Sequence, residues 1–586
     1  MKWVLAQHDA GAVSRLSDQA GVHPLIARLM VGRGIVDAAD ARAFLSADLS
    51  TLTDPGVLAG MELAVRRVRA AIASRERIVV YGDYDVDGVT GAAVLYLALR
   101  DLGADMGFHI PDRMSEGYGL NTAALRMLRE QGARVVITVD CGITAVKEAA
   151  AARDLGIDLI ITDHHESAAI PRDQPTSGPA VLPEALALLH PGLVVRDVPD
   201  TVRQGISGLT GVGVAFKLVQ GLLGSRHDDP RLTGLLDLVA LGTIADMGRI
   251  TGENRILVRH GLGLLSSDPS QLRPGVAALK RVAGIADKRV TVGTVGFSLA
   301  PRINASGRLA RADAAFRLLT ADDAGEALRL ATELDAVNRE RQAVEEAIWG
   351  EARERCLQAD LAGTGAFVLA SGDWHAGVIG IVASRIVDEF YRPTALISVR
   401  DGRGKGSGRS IPGFDLYAGL LQCSDLLAGF GGHKYAAGFT IDEDRIPLFR
   451  ERLSAVVLEQ MGAGGFVRTV TIDAPVTFDD LTLDLLRDIE RMAPFGQGNP
   501  EPRLGARGLE IASLRTVGNG NKHLKMRLRQ QNGRFIDAIA YNQGQPLGSR
   551  FRGGDRVAAV FVPRITVWNG NTGIELEIKD VKHDRQ

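Results

Sequence analysis

The chain is poor in cysteine, holds no long apolar run and carries no large excess of either charge. Its 586 residues contain three cysteines, Cys141, Cys356 and Cys423, far apart in sequence. Three such residues build neither a disulfide framework nor a thiolate zinc cluster, and a reducing cytoplasm is the expected compartment. No stretch of 18 apolar residues occurs, so no membrane span is expected. Residues 1–10 (MKWVLAQHDA) lack the apolar centre of a secretory signal. A formal net charge of −2 argues against a simple polycationic nucleic-acid binder.

What is present is the ordinary balance of a globular protein, 46% hydrophobic and 24% charged. The length predicts about four domains. Charge is uneven along the chain. Residues 503–586 hold 15 Lys and Arg against 7 Asp and Glu, so a basic tail of +8 follows a body of −10. Such a tail suits a phosphate backbone, although a solvated face that binds nothing has the same composition.

Residues 1–50 read as short helices and turns. Apolar runs at 78–81, 135–139 and 159–162 then alternate with helix-like stretches at 89–102 and 144–155, the pattern of a mostly parallel sheet in an α/β domain. Residues 212–223 and 235–245 add helices. A charged amphipathic stretch at 321–357, roughly 55 Å long if helical, reads as a link between domains, with a helix packed within one core as the alternative. A second α/β segment covers 365–461. Strand-like pieces at 523–529, 535–541, 556–562 and 574–578, separated by Gly/Asn turns, predict a small β-barrel or sandwich. The expected boundaries are 1–50, 51–320, 321–358 (the linking helix), 359–462 and 463–586.

Gly82-Asp83-Tyr84-Asp85-Val86-Asp87-Gly88 follows the first apolar run directly. Close carboxylates repel unless protons or cations relieve them, and ligands of parallel sheets gather at strand C-terminal ends. The run at 135–139 leads into Asp140, that at 159–162 into Asp163-His164-His165, and Asp246 ends the stretch at 235–245. Oxygen and imidazole donors without thiolates suit Mn²⁺ or Mg²⁺, in number enough for two ions. Paired cations activate water and stabilise both oxygens of a phosphoryl displacement. Each Asp alone reads equally as a helix or turn cap; four acidic groups and a His pair at successive element ends do not.

On these residues the chain resembles the Asp-His-His (DHH) phosphoesterase superfamily and, within it, the RecJ family of single-strand-specific exonucleases. Pro301–Arg308 (PRINASGR), Trp374-His375-Ala376-Gly377, Gly431-Gly432-His433 and Pro494-Phe495-Gly496-Gln497-Gly498-Asn499-Pro500 extend the resemblance over nearly the whole chain. It implies two α/β domains (DHH and DHH-associated) joined by a long helix, plus a C-terminal OB-type barrel. It assigns Asp85, Asp87, Asp140, His164, His165 and Asp246 as catalytic ligands of two divalent cations, Mn²⁺ or Mg²⁺. Asp83 stands either as a further ligand or as support, and Asp163 as an orienting residue behind the histidines. The implied reaction is 5′-to-3′ hydrolysis of single-stranded DNA to 5′-mononucleotides in repair and recombination. The implied protein partners are single-strand-binding protein and a helicase, with the enzyme itself a monomer. The alternatives are a phosphodiesterase of very short RNA or cyclic dinucleotides, and a non-catalytic DNA-binding scaffold.

For the DNA path, residues 400–410 (RDGRGKGSGRS) combine glycines with basic side chains. Glycine permits close backbone approach and positive φ, so peptide N–H groups can face an anion, which nominates Arg403, Lys405, Arg409 and Ser410, with His433 nearby. A flexible exposed loop is the alternative, and His433 alone reads equally as a structural hydrogen-bonding histidine. Arg302, Asn304 and Arg308 line the path or anchor an interdomain turn. In the tail, residues 523–529 alternate so that Leu524, Met526 and Leu528 face inward and Lys525, Arg527 and Arg529 outward. Phe535, Tyr541 and Trp568 read as core. The tail is expected to serve binding more than the chemical step.

Overall fold

The computed structural model describes residues 1–112, 116–167, 170, 181–309, 313–361, 363–462, 465–530, 533–568 and 570–584, without the side chains of residues 306, 308, 309 and 568. After a short strand β1 (Lys2–Leu5) and four α-helices, the first sheet comprises β2 (Arg77–Gly82), β3 (Asp105–His109), β4 (Ala133–Val139), β5 (Asp158–Thr162) and β6 (Ala187–Leu189). Its order is β3-β2-β4-β5-β6 and every pairing is parallel. The apolar runs are continuous because β2 and β4 are covered on both faces. The chain passes from β2 outward to β3 and returns across β2 to β4. This reversal opens a crevice at the carboxyl ends of β2 and β4, where ligands of such sheets sit.

Helices Val86–Asp101, Gly211–Leu222 and Leu236–Ala245 pack together over this sheet and are almost wholly buried. Their sequences are apolar on all sides, as a core helix requires. Helix Ala324–Leu357 has 34 residues, about 51 Å at 1.5 Å per residue. Ala327, Leu330, Ala331 and Leu334 belong to the first core, and Ile348, Ala352 and Cys356 to that of the next domain. One helix thus joins two cores, as its amphipathic length predicts.

The second domain is a five-stranded sheet, β10-β11-β9-β8-β7, of β7 (Phe367–Ser371), β8 (Thr394–Arg400), β9 (Arg403–Arg409), β10 (Leu427–His433) and β11 (Ala436–Asp442). The alternative of a flexible exposed loop at 400–410 is excluded here. Residues 403–409 form β9, antiparallel to both β8 and β11. Their glycines serve packing. A Cβ on Gly404 would lie 2.6 Å from Ile397 Cγ2, and one on Gly406 2.2 Å from the Phe439 ring. The alternation places Arg403, Lys405 and Arg409 together on the opposite face.

After β12 (Thr469–Ile472), which pairs with β1, and the short β13 (Ala474–Pro475), the C-terminal strands are β14 (Leu504–Val517), β15 (His523–Gln530), β16 (Phe535–Ala540), β17 (Arg556–Trp568) and β18 (Asn571–His583). They run in the order β14-β15-β16-β18-β17, and β14 also pairs with β17, closing a five-stranded barrel. Leu524, Met526 and Leu528 are buried inside it, as their alternation predicts. The N-terminal helices pack against Leu485, Ile489 and Met492, so they share a core with the segment ahead of the barrel.

Candidate metal centre

Three aspartates continue the parallel ladder past the strand ends. Asp83 N–H donates to Val139 O (3.1 Å), Asp140 N–H to Thr162 O (3.0 Å) and Asp163 N–H to Leu189 O (3.1 Å). Each backbone is thereby pinned to the next strand and its carboxylate projects at the sheet's carboxyl edge. Asp140 has φ +63°, a left-handed conformation that Asp tolerates better than most residues. The side chains of Asp83, Asp87, Asp140 and Asp163 are buried.

Helix ends organise the other carboxylates. Asp85 N-caps helix Val86–Asp101 through Gly88 N–H at 3.1 Å, so the capping role holds for this residue alongside its place in the cluster. Asp87 accepts from the N–H groups of Gly211 (2.6 Å) and Val212 (3.0 Å), the first turn of the neighbouring helix. Close approach requires glycine here. A Cβ on Gly242 would lie 2.9 Å from Asp87 Oδ1, and one on Gly211 2.6 Å from Asp140 Cβ. Asp246 caps the C-terminus of Leu236–Ala245 and completes the ring.

His164 stands at the centre. Its Nε2 is 3.0 Å from Asp140 Oδ1, 3.7 Å from Asp246 Oδ2 and 3.8 Å from Asp87 Oδ2. Ligand atoms fall into three overlapping groups, Asp140/His164/His165, Asp87/His164/Asp246 and Asp83/Asp85/Asp140, each within 4.8 Å. Asp140 and His164 belong to two groups each, as adjacent cation positions sharing ligands require. Burial, then the charges of Asp246 and Asp85, push the Asp87 carboxyl well above its ordinary range; burial, then Asp87 and Asp85, do the same to Asp140. Burial and Asp85 push Asp246 up to about 7. Such crowding is what bound cations relieve, and the oxygen and imidazole donors fit Mn²⁺ or Mg²⁺.

Asp163 is of another kind. Its Oδ1 accepts from His165 Nδ1 (2.8 Å), His164 N–H (2.7 Å) and His165 N–H (3.1 Å), while Oδ2 accepts from Ile143 N–H (2.8 Å). Burial raises its pKa, but the bond and charge of His165 outweigh it and hold this carboxyl well below its usual range. Burial works against the His165 imidazolium, yet Asp163, Asp246 and Asp85 push it up to about 9.

Two neighbours lay outside the sequence reading. His190 is buried after β6, its Nε2 3.0 Å from His165 O; the run Ala187-Leu188-Leu189 ending in His was its signal. Tyr118 places its hydroxyl 3.2 Å from His165 Nδ1 and its ring edge-on to Tyr84. The glycine-flanked Glu-Gly-Tyr-Gly at 116–119 was the signal there.

A cavity of about 350 Å³ lies beside the cluster, lined by Tyr118, Ile143, Glu148, Asp163, His165 and His433 among others. His433, at the end of β10, therefore reaches the first domain's site from the second. Arg403 and Lys405 are exposed on β9, while burial lowers the Arg409 pKa and its guanidinium donates to Gly408 O (2.8 Å). Ser410 Oγ donates to Phe414 O (2.9 Å).

The interdomain turn expected at 302–308 is corrected to a helix, Ala300–Leu309. Arg302 is committed there to Asp335 on the long helix (2.9 Å), and Asn304 accepts from Val86 N–H (3.2 Å) beside the Asp85 cap. The Arg308 side chain lies outside the described residues. On the barrel, Lys525, Arg527 and Arg529 face outward but meet Glu575 (3.3 Å), Asp537 (4.0 Å) and Glu510 (2.7 Å). Phe535 and Tyr541, expected in the core, are exposed, because the alternation that buries Ile536 and Ala540 turns them outward. The Trp568 side chain is outside the described residues.

Comparison with known proteins places family domains along the chain. Residues 77–243 match the DHH family N-terminal domain, 363–459 the DHHA1 domain and 472–580 the RecJ OB domain. The single-stranded-DNA-specific exonuclease RecJ of Bacillus subtilis is 38% identical over 582 residues, covering 99% of this chain and 70% of that protein. Its Escherichia coli counterpart is 34% identical, covering 96% of both. The crystal structure of RecJ in complex with Mn²⁺ from Thermus thermophilus is similar at a TM-score of 0.80 and 31% identity, covering 100% of this chain and 80% of that one. The Mg²⁺ complex from the same organism gives 0.75 and 30%, covering 100% and 79%.

Proposed function

The chain belongs to the RecJ family, and we propose that it is a single-stranded-DNA-specific exonuclease that hydrolyses the strand from its 5′ end and releases 5′-mononucleotides. Asp85, Asp87, Asp140, His164, His165 and Asp246, with Asp83 beside them, hold two divalent cations, Mn²⁺ or Mg²⁺. Bound there, the cations supply an activated water and neutralise charge on the scissile phosphodiester. The observation that carries this reading is the overlap of three acid and histidine groups at Asp140 and His164.

The protein's own groups do the rest. Asp163 holds the His165 ring through Nδ1. The Gly211 and Val212 N–H groups fix the Asp87 carboxylate before any ligand arrives. Arg403, Lys405, Arg409, Ser410 and His433 contact the phosphates entering the cleft. Asn304 supports the path from the Val86 turn, and Lys525, Arg527 and Arg529 guide the strand along the barrel. On the same reading the enzyme is a cytoplasmic monomer of DNA repair and recombination that works with single-strand-binding protein and a helicase; family resemblance is the support for this. No single helix among the described residues is long and apolar enough to cross a membrane.

A time course on 5′- and 3′-labelled single-stranded oligonucleotides, with Mn²⁺, Mg²⁺ or chelator, tests the reading. Labelled mononucleotide should appear first from the 5′ label and only with cation. Release from the 3′ label first, or turnover in chelator, refutes it.

A further inference from the structure

The turn at residues 496–499 precedes the barrel in sequence yet is seated on the first domain. Gln497 O accepts from Ile250 N–H at 2.7 Å. A Cβ on Gly496 would lie 2.9 Å from Ile250 Cγ1, and one on Gly498, whose φ is +77°, 3.1 Å from Thr251 Cγ2. The turn is closed on itself, Gly496 N–H donating to Asn499 O (2.9 Å) and Asn499 N–H to Gly496 O (3.1 Å). Asn499 is buried. Its amide donates to Met492 O (3.0 Å) and Pro494 O (2.8 Å) and accepts from Arg33 Nε (2.8 Å). Arg255, buried on helix Gly252–Leu265, donates to Arg491 O (3.0 Å) and Ala493 O (2.9 Å). A fold this fully bonded is far more than a linker needs.

What it presses on is the segment following Asp246. Ile250 lies four residues beyond that carboxylate. Between them Met247 is left-handed (φ +57°), and Gly248 N–H donates to Thr243 O (2.9 Å). Gly248 abuts Thr210, where a Cβ would meet Cγ2 at 2.5 Å. Thr210 immediately precedes Gly211 and Val212, whose N–H groups hold Asp87. The contacts therefore run from the turn through Ile250 and Gly248 to Thr210, and so reach both Asp246 and Asp87. These are the two carboxylates grouped with His164.

We propose that the 496–499 turn is a positioning element of the cation site, so that the region ahead of the barrel sets the geometry of Asp246 and Asp87. The inference rests on the two-cation reading above. It qualifies the expectation that the tail serves binding more than the chemical step: truncation before this turn disturbs the chemical step as well as DNA affinity.

Gly498→Ala in the full-length chain tests it, since a side chain there meets both an unfavourable φ and Thr251. Arg33→Ala is the milder second variant, loosening the turn by removing one hydrogen bond to Asn499. Mn²⁺ binding is read by calorimetric titration of chelator-stripped protein, DNA affinity in chelator, kcat and KM across a Mn²⁺ series, and folding by circular dichroism. Gly498→Ala should bind Mn²⁺ about tenfold more weakly and Arg33→Ala about threefold. In both, kcat should recover as Mn²⁺ is raised, with DNA affinity unchanged. Wild-type Mn²⁺ affinity and kcat in folded variants, or a loss confined to DNA affinity, overturns the proposal. Absence of Mn²⁺ binding by the wild-type chain overturns the underlying reading and this inference with it.

Discussion

Asp163 takes the Nδ1 hydrogen of His165 at 2.8 Å while the same oxygen accepts the backbone N–H of His164 at 2.7 Å. One carboxylate thus holds the His165 ring and the His164 backbone without belonging to any of the three ligand groups. Partners of this kind are worth about 10- to 100-fold in metal affinity or activity. Asp163→Ala should raise the Mn²⁺ concentration for half-maximal rate by that order and leave DNA affinity in chelator unchanged. Asp163→Asn, which keeps an acceptor oxygen, should fall between. Equal Mn²⁺ dependence in all three proteins would remove Asp163 from this role.

Asp140 is shared by two groups and lies within 4 Å of both histidines. Asp140→Asn tolerates the +63° φ and retains the shape, so it tests charge alone. Turnover should drop below detection even with excess Mn²⁺, and DNA affinity should persist. A ligand that binds only the folded state stabilises it by about 2.7 kcal/mol at 100 times its Kd. Thermal melting with and without Mn²⁺ should therefore show an upward shift in the wild type that Asp140→Asn largely loses. A full shift in the variant would mean that the cations are held without this residue.

The aspartates at strand ends were legible because β2, β4 and β5 are buried on both faces. Their apolar runs are continuous, and the first polar residue after each marks the sheet edge. His190 escaped because β6 has three residues, too few to read as a strand. β14 escaped because its register shifts between Ile511 and Ser513, which breaks the period-two pattern. β9 escaped for a different reason: its glycines make room for Ile397, Phe439 and Leu416, and such a strand reads locally as a loop. The approach of His433 to His165 depends on how two domains pack, which no local pattern encodes.

Basic side chains on β9 and on the barrel differ in their partners, and this separates their expected contributions. Lys405 is exposed and has no ion-pair partner among the described residues, and Arg403 is 3.8 Å from a half-buried Asp442. Arg529 is held at 2.7 Å by Glu510, and Lys525 at 3.3 Å by Glu575. Each phosphate contact on a single strand contributes about 0.7 to the slope of log K against log salt. Lys405→Ala should flatten that slope by about this amount, whereas Arg529→Ala should change it less, since its charge is already partly compensated. Equal slope changes measured by fluorescence anisotropy from about 50 to 200 mM salt would place the two surfaces on the same footing.

Tyr118 offers a division between hydroxyl and ring. Its hydroxyl is 3.2 Å from His165 Nδ1 and 3.3 Å from Nε2, its ring stands edge-on to Tyr84 and His165, and it remains exposed to the cleft that His433 also lines. An exposed ring beside the proposed cation site is placed to stack on the terminal base, an interaction worth about 1–3 kcal/mol. The hydroxyl has the smaller task of steadying an imidazole that Asp163 already holds. Tyr118→Phe should therefore lower kcat by only about threefold and leave KM unchanged. Tyr118→Ala should raise KM by about 5- to 150-fold, the factor that the stacking energy implies. Steady-state kinetics on a single-stranded oligonucleotide at saturating Mn²⁺ distinguishes the two effects. A KM unchanged in Tyr118→Ala would show that the base does not rest on this ring.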